Sequence, residues 1–189
     1  MKVKDIKNRV TLLNVAASLF MQIASVISAL IVPRLILETF GSSTNGLVSS
    51  ISQFLNYITL VEGGITGVIS ANLYKPLVDG DNEKLSSVLT TARSFYRKIG
   101  VLFIGYSVVL GVVYPFFVDT GYEYWYVFAL TLTLSIGLML QYMFSLTFTT
   151  LLNADKKVYI VAFTGTVLTI ANIILTLVVV NVYPDIIVL

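Results

Sequence analysis

Long stretches without any Asp, Glu, Lys or Arg dominate this sequence. A helix needs about 20 apolar residues to cross a hydrocarbon core of about 30 Å. Strands of a membrane barrel would be shorter and would alternate strictly between apolar and polar residues. The stretches therefore predict an all-α, polytopic membrane helix bundle. Its five transmembrane helices would cover residues of about 10–33, 44–73, 99–118, 125–150 and 158–183, the first ending or bending at Pro33.

The composition excludes several classes of protein and of site. Hydrophobic residues make up 57% of the chain and charged residues 12%, whereas a soluble domain carries about a quarter charged residues. Cysteine and histidine are absent, which excludes disulfides, Cys or His metal sites and His-based catalysis. With a net charge of +2 and no phosphate-binding loop or activated nucleophile, we expect no nucleic-acid binding, no enzyme activity, no metal and no cofactor.

The basic residues predict the orientation of the chain. With the N-terminus in the cytoplasm, eleven of the twelve lysines and arginines fall in cytoplasmic segments, and Arg34 alone lies outside. Positive charge is retained on the cytoplasmic side of membrane proteins. The four bases before residue 10 could also begin a signal peptide. The apolar run that follows is too long for one, so we interpret it as the first membrane helix.

Two segments leave the organisation open. Residues 85–98 combine apolar residues at helical spacing with bases, which fits a surface helix on anionic lipid or an ordinary positive-inside loop. At the end of the chain, Pro184 and Asp185 precede four apolar residues, a pattern typical of the start of a sixth helix. We therefore expect residues 1–189 to be a single membrane domain that is truncated at its C-terminus.

Polar residues recur along single faces of several predicted helices. The longest set follows the second helix, and Asn14, Gln22 and Asn172 lie on similar faces of the first and fifth. Small and hydroxylated residues allow close helix packing, whereas amides in hydrocarbon need several hydrogen-bond partners. Both close packing and a shared hydrated cavity fit this pattern. The polar face of the second helix consists of Asn45, Ser49, Ser52, Asn56, Thr59, Gly63, Gly67 and Ser70.

Two charged residues are candidate functional groups. Glu62 is the one acid inside a predicted span, and an ionisable group there suggests a function. It is followed by Gly63 and Gly64, which would permit a kink or the close approach of a neighbour. Alternatively, Glu62 pairs with a base such as Arg93 and fastens the helix. Arg34 could attract an anionic ligand or pair with Glu38.

Several short motifs resemble those of bacterial polysaccharide flippases. These proteins translocate O-antigen and capsule repeat units and belong to the multidrug/oligosaccharidyl-lipid/polysaccharide exporter superfamily. The similar segments are Ile31-Val-Pro-Arg-Leu-Ile-Leu-Glu-Thr-Phe-Gly41, Asn45-Gly-Leu47, Leu60-Val-Glu-Gly-Gly-Ile65, Tyr74-Lys-Pro-Leu77 and Phe95-Tyr-Arg-Lys-Ile99. Family members have twelve to fourteen helices in two related lobes, so the chain resembles most of the first lobe.

The resemblance implies a location, a substrate and a set of binding residues. The protein would lie in a bacterial plasma membrane and move an undecaprenyl-pyrophosphate-linked oligosaccharide between leaflets, beside a polysaccharide polymerase and glycosyltransferases. Arg34 would meet pyrophosphate oxygens, and the face of the second helix would bind sugar hydroxyls. A drug exporter of the same superfamily and a scaffold for glycan-assembly enzymes are the alternatives. The predicted substrate-binding residues are Arg34, Asn45, Asn56, Glu62 and Gly63.

Overall fold

The computed structural model describes residues 3–118 and 121–182, and all the regular elements in these ranges are helices. A π-helical turn, Gln141–Ser145, joins the fourth helix to the fifth. Pro184 and Asp185, on which the predicted start of a sixth helix depends, lie outside the described residues. The helices are α1 (Val3–Asn56), α2 (Ile58–Asp79), α3 (Asn82–Phe117), α4 (Tyr124–Leu140), α5 (Leu146–Ala154) and α6 (Val158–Val182).

Four helical segments of the described chain are long and apolar enough to cross a membrane. They are Asn8–Asp79, Asn82–Phe117, Tyr124–Ala154 and Val158–Asn181. The all-α membrane character expected from hydropathy therefore agrees with the structure. The first segment contains both of the first two predicted helices, so five separate spans remain a prediction.

Of the two outcomes expected at Pro33, an end or a bend of the first helix, the structure does not show an end. α1 continues through Pro33, and its backbone leaves helical geometry at Gly41, where φ is 85° and ψ is 172°. Proline fixes φ near its helical value and mainly removes one N–H donor, a loss that membrane helices tolerate. Glycine alone adopts the Gly41 conformation readily. The break therefore lies eight residues beyond the proline.

The second predicted helix is divided and extended. A tight turn at Tyr57 separates α1 from α2, with the Leu60 N–H donating to the Tyr57 carbonyl at 3.1 Å. Instead of ending near residue 73, α2 continues to Asp79 and is capped by Gly80 in the left-handed conformation. Residues 44–73 are thus parts of two helices joined by a turn.

The third helix begins well before residue 99, where the apolar run starts. α3 begins at Asn82, so residues 85–98 are helical and continue without a break into the apolar run; they do not form a loop. The Asp81 carboxylate accepts a hydrogen bond from the Lys84 backbone N–H at 3.0 Å and pairs with Lys84 Nζ at 2.8 Å. The hydrogen bond to the Lys84 side chain, above all, lowers the pKa of Asp81, as expected for a charged cap at a helix N-terminus.

The last two helices lie close to their predicted positions. The 125–150 helix extends to Ala154 and contains the π turn, and the 158–183 helix is α6. In the core of the bundle, the second arm of α1 (residues 42–56, after the break at Gly41) and the start of α2 pack against α3, α4 and the π turn. Its most buried large side chains include Ile51, Leu55, Tyr96, Phe103, Val127, Leu130 and Tyr142.

Polar contacts show which helix ends meet. Near the start of α1, the Asn14 side chain donates to the Lys156 carbonyl at 2.7 Å and accepts from the Tyr159 N–H at 2.9 Å. Just after the Gly41 break, the hydroxyls of Thr44 and Tyr122 are hydrogen-bonded. The first contact joins the start of α1 to the turn before α6, and the second joins the break to the turn before α4. These contacts therefore define two opposite ends of the bundle.

Candidate functional site: a carboxylate and hydroxyl network between α2, α3 and α5

Glu62 is held by a neutral hydrogen-bond donor. It lies in the second turn of α2 and is partly buried, and the Tyr142 hydroxyl donates to its Oε2 at 3.0 Å. Tyr142 is only 1% exposed, and its ring packs against Phe103 of α3 with centroids 5.8 Å apart. The contact joins residues that are 80 positions apart in the sequence.

The π turn carries Tyr142. In this turn the Leu146 N–H donates to the Gln141 carbonyl, five residues back, instead of four as in an α-helix. The turn thus contains an extra residue, which changes the direction of the side chains relative to a regular helix. Single π turns of this kind are frequent at functional sites. Here the turn presents Tyr142 to both α2 and α3.

A second polar contact lies one helical turn along α2 from Glu62. The Tyr96 hydroxyl is 3.0 Å from Thr66 Oγ1 of α2 and 3.0 Å from Thr150 Oγ1 of α5. Thr150 donates its single hydrogen to the Leu146 carbonyl at 2.8 Å. A hydroxyl has one hydrogen to give, so Tyr96 donates to Thr150 and Thr66 donates to Tyr96. The three hydroxyls form one directed chain of hydrogen bonds.

The network lies close to one boundary of the predicted membrane core. At about 1.5 Å per residue, the charge-free part of α3 beyond Lys98 is about 28 Å long, which nearly matches a hydrocarbon core of about 30 Å. Tyr96 lies three residues before Ile99, where this charge-free part begins. Tyr142 contacts Phe103, which lies about 7 Å beyond Lys98 along the helix axis by the same rise per residue. Glu62, which is bonded to Tyr142, lies beside this part of the bundle.

Glu62 does not form the predicted pair with Arg93. No Lys or Arg nitrogen in residues 8–118 or 121–181 lies within 4.0 Å of its carboxylate, and the ion pairs of this part of the chain involve other acids. Arg93 is exposed on α3. In the described part of the chain, Glu62 is therefore bonded to a tyrosine hydroxyl and has no basic partner.

The glycines after Glu62 leave a free surface. α2 is unbroken across Gly63 and Gly64, and a Cβ atom added to Gly63, Gly64 or Gly67 would meet no atom within 4 Å. Neither the kink nor the close neighbour that these glycines would permit is present in the described chain. The surface beside Glu62 is therefore open.

The polar face of the second predicted helix points away from the core. Asn56 is exposed and donates to the Ser52 carbonyl of its own helix at 2.8 Å, and Asn45 is only partly buried. The opposite, apolar face supplies the buried residues Leu47, Ile51, Leu55 and Ile58. The bundle thus buries its apolar side and presents its amides, hydroxyls and glycines outward. The exposed members of this face are Ser49, Asn56, Thr59, Gly63 and Gly67.

Arg34 is separate from this site. Its Nε donates to Glu38 Oε1 at 2.8 Å, one turn further along α1, and the two side chains are 76% and 58% exposed. This is the pairing that the sequence offered as the alternative to an anionic ligand. No hydrogen bond or ion pair of the described residues joins any two of the predicted site residues Arg34, Asn45, Asn56, Glu62 and Gly63.

Sequence reasoning missed Tyr96, Tyr142, Thr66 and Thr150. Each is an ordinary residue of an apolar helix, and the contact partners are 30 to 80 positions apart. The one available signal is that Tyr96 and Tyr142 lie beside or within apolar segments of the sequence, because a phenol hydroxyl that is buried usually finds a partner. That signal does not indicate which partner it finds.

Comparisons of the chain with protein-family models, with curated proteins and with solved structures found no match.

Proposed function

We propose that this chain is one lobe of a bacterial plasma-membrane flippase that moves an undecaprenyl-pyrophosphate-linked oligosaccharide to the outer leaflet. In this proposal the N-terminus is cytoplasmic, the chain crosses the membrane five times with Gly41 between the first two spans, and Glu62 lies near the inner boundary. The polar face that contains Asn45, Asn56 and Gly63 contacts the substrate.

The observation that carries the proposal is the direction of that polar face. An amide group of this face that lacks a hydrogen-bond partner would cost of the order of 2–7 kcal/mol if it faced hydrocarbon. A stable protein therefore needs water or another polar surface against this face. A substrate pathway shared with a second lobe supplies both, and sugar hydroxyls match the donors and acceptors of such a surface.

Arg34 has a secondary place in the proposal. Its planar guanidinium can bind pyrophosphate oxygens in pairs, but Glu38 already occupies one side of it. A substrate phosphate would have to compete with this carboxylate. We therefore expect a smaller effect from Arg34→Ala than from a change at Glu62.

Glu62→Gln tests the proposal, because it removes the charge and keeps the size of the side chain. A hydrogen bond to a charged group is worth about 1.5–3 kcal/mol, so we expect glycan export to fall by about 10- to 100-fold. Surface polysaccharide would be measured in cells whose export depends on this gene. Glu123→Gln is the matched control, since Glu123 is an exposed acid at the opposite end of the bundle and should leave export unchanged.

The other outcomes identify the alternatives. If Glu62→Gln leaves glycan export intact and makes the cells sensitive to drugs, the protein is a cation-coupled exporter. If it alters neither property, the scaffold interpretation replaces both. Unchanged export in Glu62→Gln cells rejects the flippase proposal in either case.

A further inference from the structure

The face of α3 that points away from the bundle carries a groove lined by basic and hydroxylated side chains. We call it the basic groove, and its volume is about 780 Å³. Arg93 and Arg97 are one helical turn apart, and Lys98 lies beside them. The lining residues are Thr90, Arg93, Ser94, Arg97, Lys98, Val101 and Leu102.

The basic groove faces away from the protein. The buried residues of α3, which include Ala92, Tyr96 and Phe103, point to the opposite side of the helix. Arg93, Arg97 and Lys98 are exposed, and none of them forms an ion pair with an acid of the described residues. Three positive charges on one helix face repel each other, so the groove favours an anion.

The position of the groove along α3 indicates which anion. The groove runs from Thr90, in the polar half of α3, to Val101 and Leu102, where the charge-free half begins. Its two ends thus differ in polarity. Lys98 marks the boundary of the membrane core, by the length of apolar helix that follows it. A ligand that fills the groove needs an anionic group at one end and hydrocarbon at the other.

We propose that the basic groove is a binding site for an anionic phospholipid. The guanidinium groups of Arg93 and Arg97 donate to the phosphate oxygens. Ser94 and Thr90 offer hydroxyl donors to the headgroup, and Val101 and Leu102 contact the first methylenes of an acyl chain. The inference does not depend on the proposed transport function, because the groove lies on the face of α3 opposite Tyr96 and the Glu62 network.

The continuity of α3 is essential to this inference. A flexible loop would place its bases at varying depths, whereas α3 is helical from Asn82 to Phe117 and fixes all three bases relative to the apolar residues. The groove therefore selects a headgroup at one depth. This distinguishes a lipid site from the general attraction of basic residues to an anionic surface.

The experiment measures lipid retention by the purified full chain in detergent with native mass spectrometry. The probes are phosphatidylglycerol and phosphatidylcholine with identical acyl chains, and glycerol phosphate as a soluble competitor. Each basic residue near an anionic surface is worth about fivefold in affinity, so Arg93→Gln with Arg97→Gln should weaken phosphatidylglycerol binding by about 25-fold. Lys75→Gln with Lys156→Gln is the control, since it removes two exposed charges that do not line the groove.

The proposal predicts preference for phosphatidylglycerol over phosphatidylcholine, loss of that preference in the arginine variant, and retention of it in the lysine variant. Equal binding of the two lipids, or equal losses in the two variants, would overturn it. Displacement of the lipid by an equal concentration of glycerol phosphate would also overturn it, because the groove would then be a site for soluble anions. Circular dichroism of both variants checks that the helices are intact.

Discussion

At the scale of single residues, the buried hydroxyls connect helices that hydropathy treats as independent. Tyr96 is fully buried and links Thr66 of α2 to Thr150 of α5. Tyr142 does the same between the π turn and Glu62. Hydrogen bonds between membrane helices are worth about 0.6 kcal/mol on average and up to about 1.7 kcal/mol. Such residues fix which helices are neighbours.

Tyr96→Phe should therefore destabilise the protein by about 1 kcal/mol. The change leaves the ring in place but removes both the donor to Thr150 and the acceptor for Thr66. Unfolding in mixed micelles, followed by circular dichroism, measures the free energy of unfolding. Tyr74→Phe is the control, because Tyr74 is 51% exposed. Equal stability of the Tyr96→Phe protein and the parent would show that this network contributes no stability.

At the scale of elements, a glycine and not a proline divides the first long helix. Pro33 lies inside continuous helix, and the backbone at Gly41 has a positive φ and an extended ψ. This combination is essentially restricted to glycine and costs other residues about 1–3 kcal/mol. The break also places Thr44, which bonds to Tyr122, at the end of the bundle. The direction of the second arm of α1 thus depends on Gly41.

Gly41→Ala is expected to destabilise the protein by about 1–3 kcal/mol, although no atom lies within 4 Å of the added methyl group. The cost arises from the backbone conformation alone. Gly46→Ala, five residues later in regular and equally open helix, should instead stabilise the protein by up to about 1 kcal/mol. Unfolding curves of the two variants in the same detergent compare them. A stabilising Gly41→Ala would contradict the left-handed break.

The start of α3 illustrates what hydropathy misses. The bases between residues 84 and 98 suggested a loop or a surface helix, because apolar periodicity was mixed with charge. In the structure Ala92 and Tyr96 pack against the bundle while Arg93 and Arg97 point outward. This amphipathic segment and the apolar segment after it are parts of one continuous helix, α3. Contacts of one face of the amphipathic segment with the bundle stabilise it.

At the scale of the whole molecule, α1 and α6 form a close pair between small residues. Ala24 and Ala162 are buried, and a Cβ atom on Gly165 would lie 2.9 Å from the Met21 methyl carbon. Such close contact between two helices is what the packing interpretation of the polar and small-residue faces predicts. The same faces contain Asn14, which the cavity interpretation assigned to a hydrated interior. Its side chain instead binds the backbone at the start of α6.

Asn14→Ala should destabilise the protein by about 1–2 kcal/mol, since it removes a helix cap and leaves backbone groups of Lys156 and Tyr159 without their partner. The free energy of unfolding measures the effect, and hydrogen exchange at the Tyr159 amide should become faster. Asn72→Ala is the matched control, because the Asn72 amide donates only to the Val68 carbonyl of its own helix. Equal effects of the two changes would contradict a capping role for Asn14.

The sequence by itself determined the helical membrane class, the approximate position of each apolar segment and the separation of its charges. These properties follow from the length and polarity of local segments, because hydrocarbon cannot satisfy backbone hydrogen bonds outside a helix or a closed barrel. It also identified Glu62 as the unusual acid. Only the tertiary structure decided that Tyr142 and not Arg93 is its partner and that the polar face of the second predicted helix points outward. Those outcomes depend on contacts between residues distant in the chain, which no local pattern encodes.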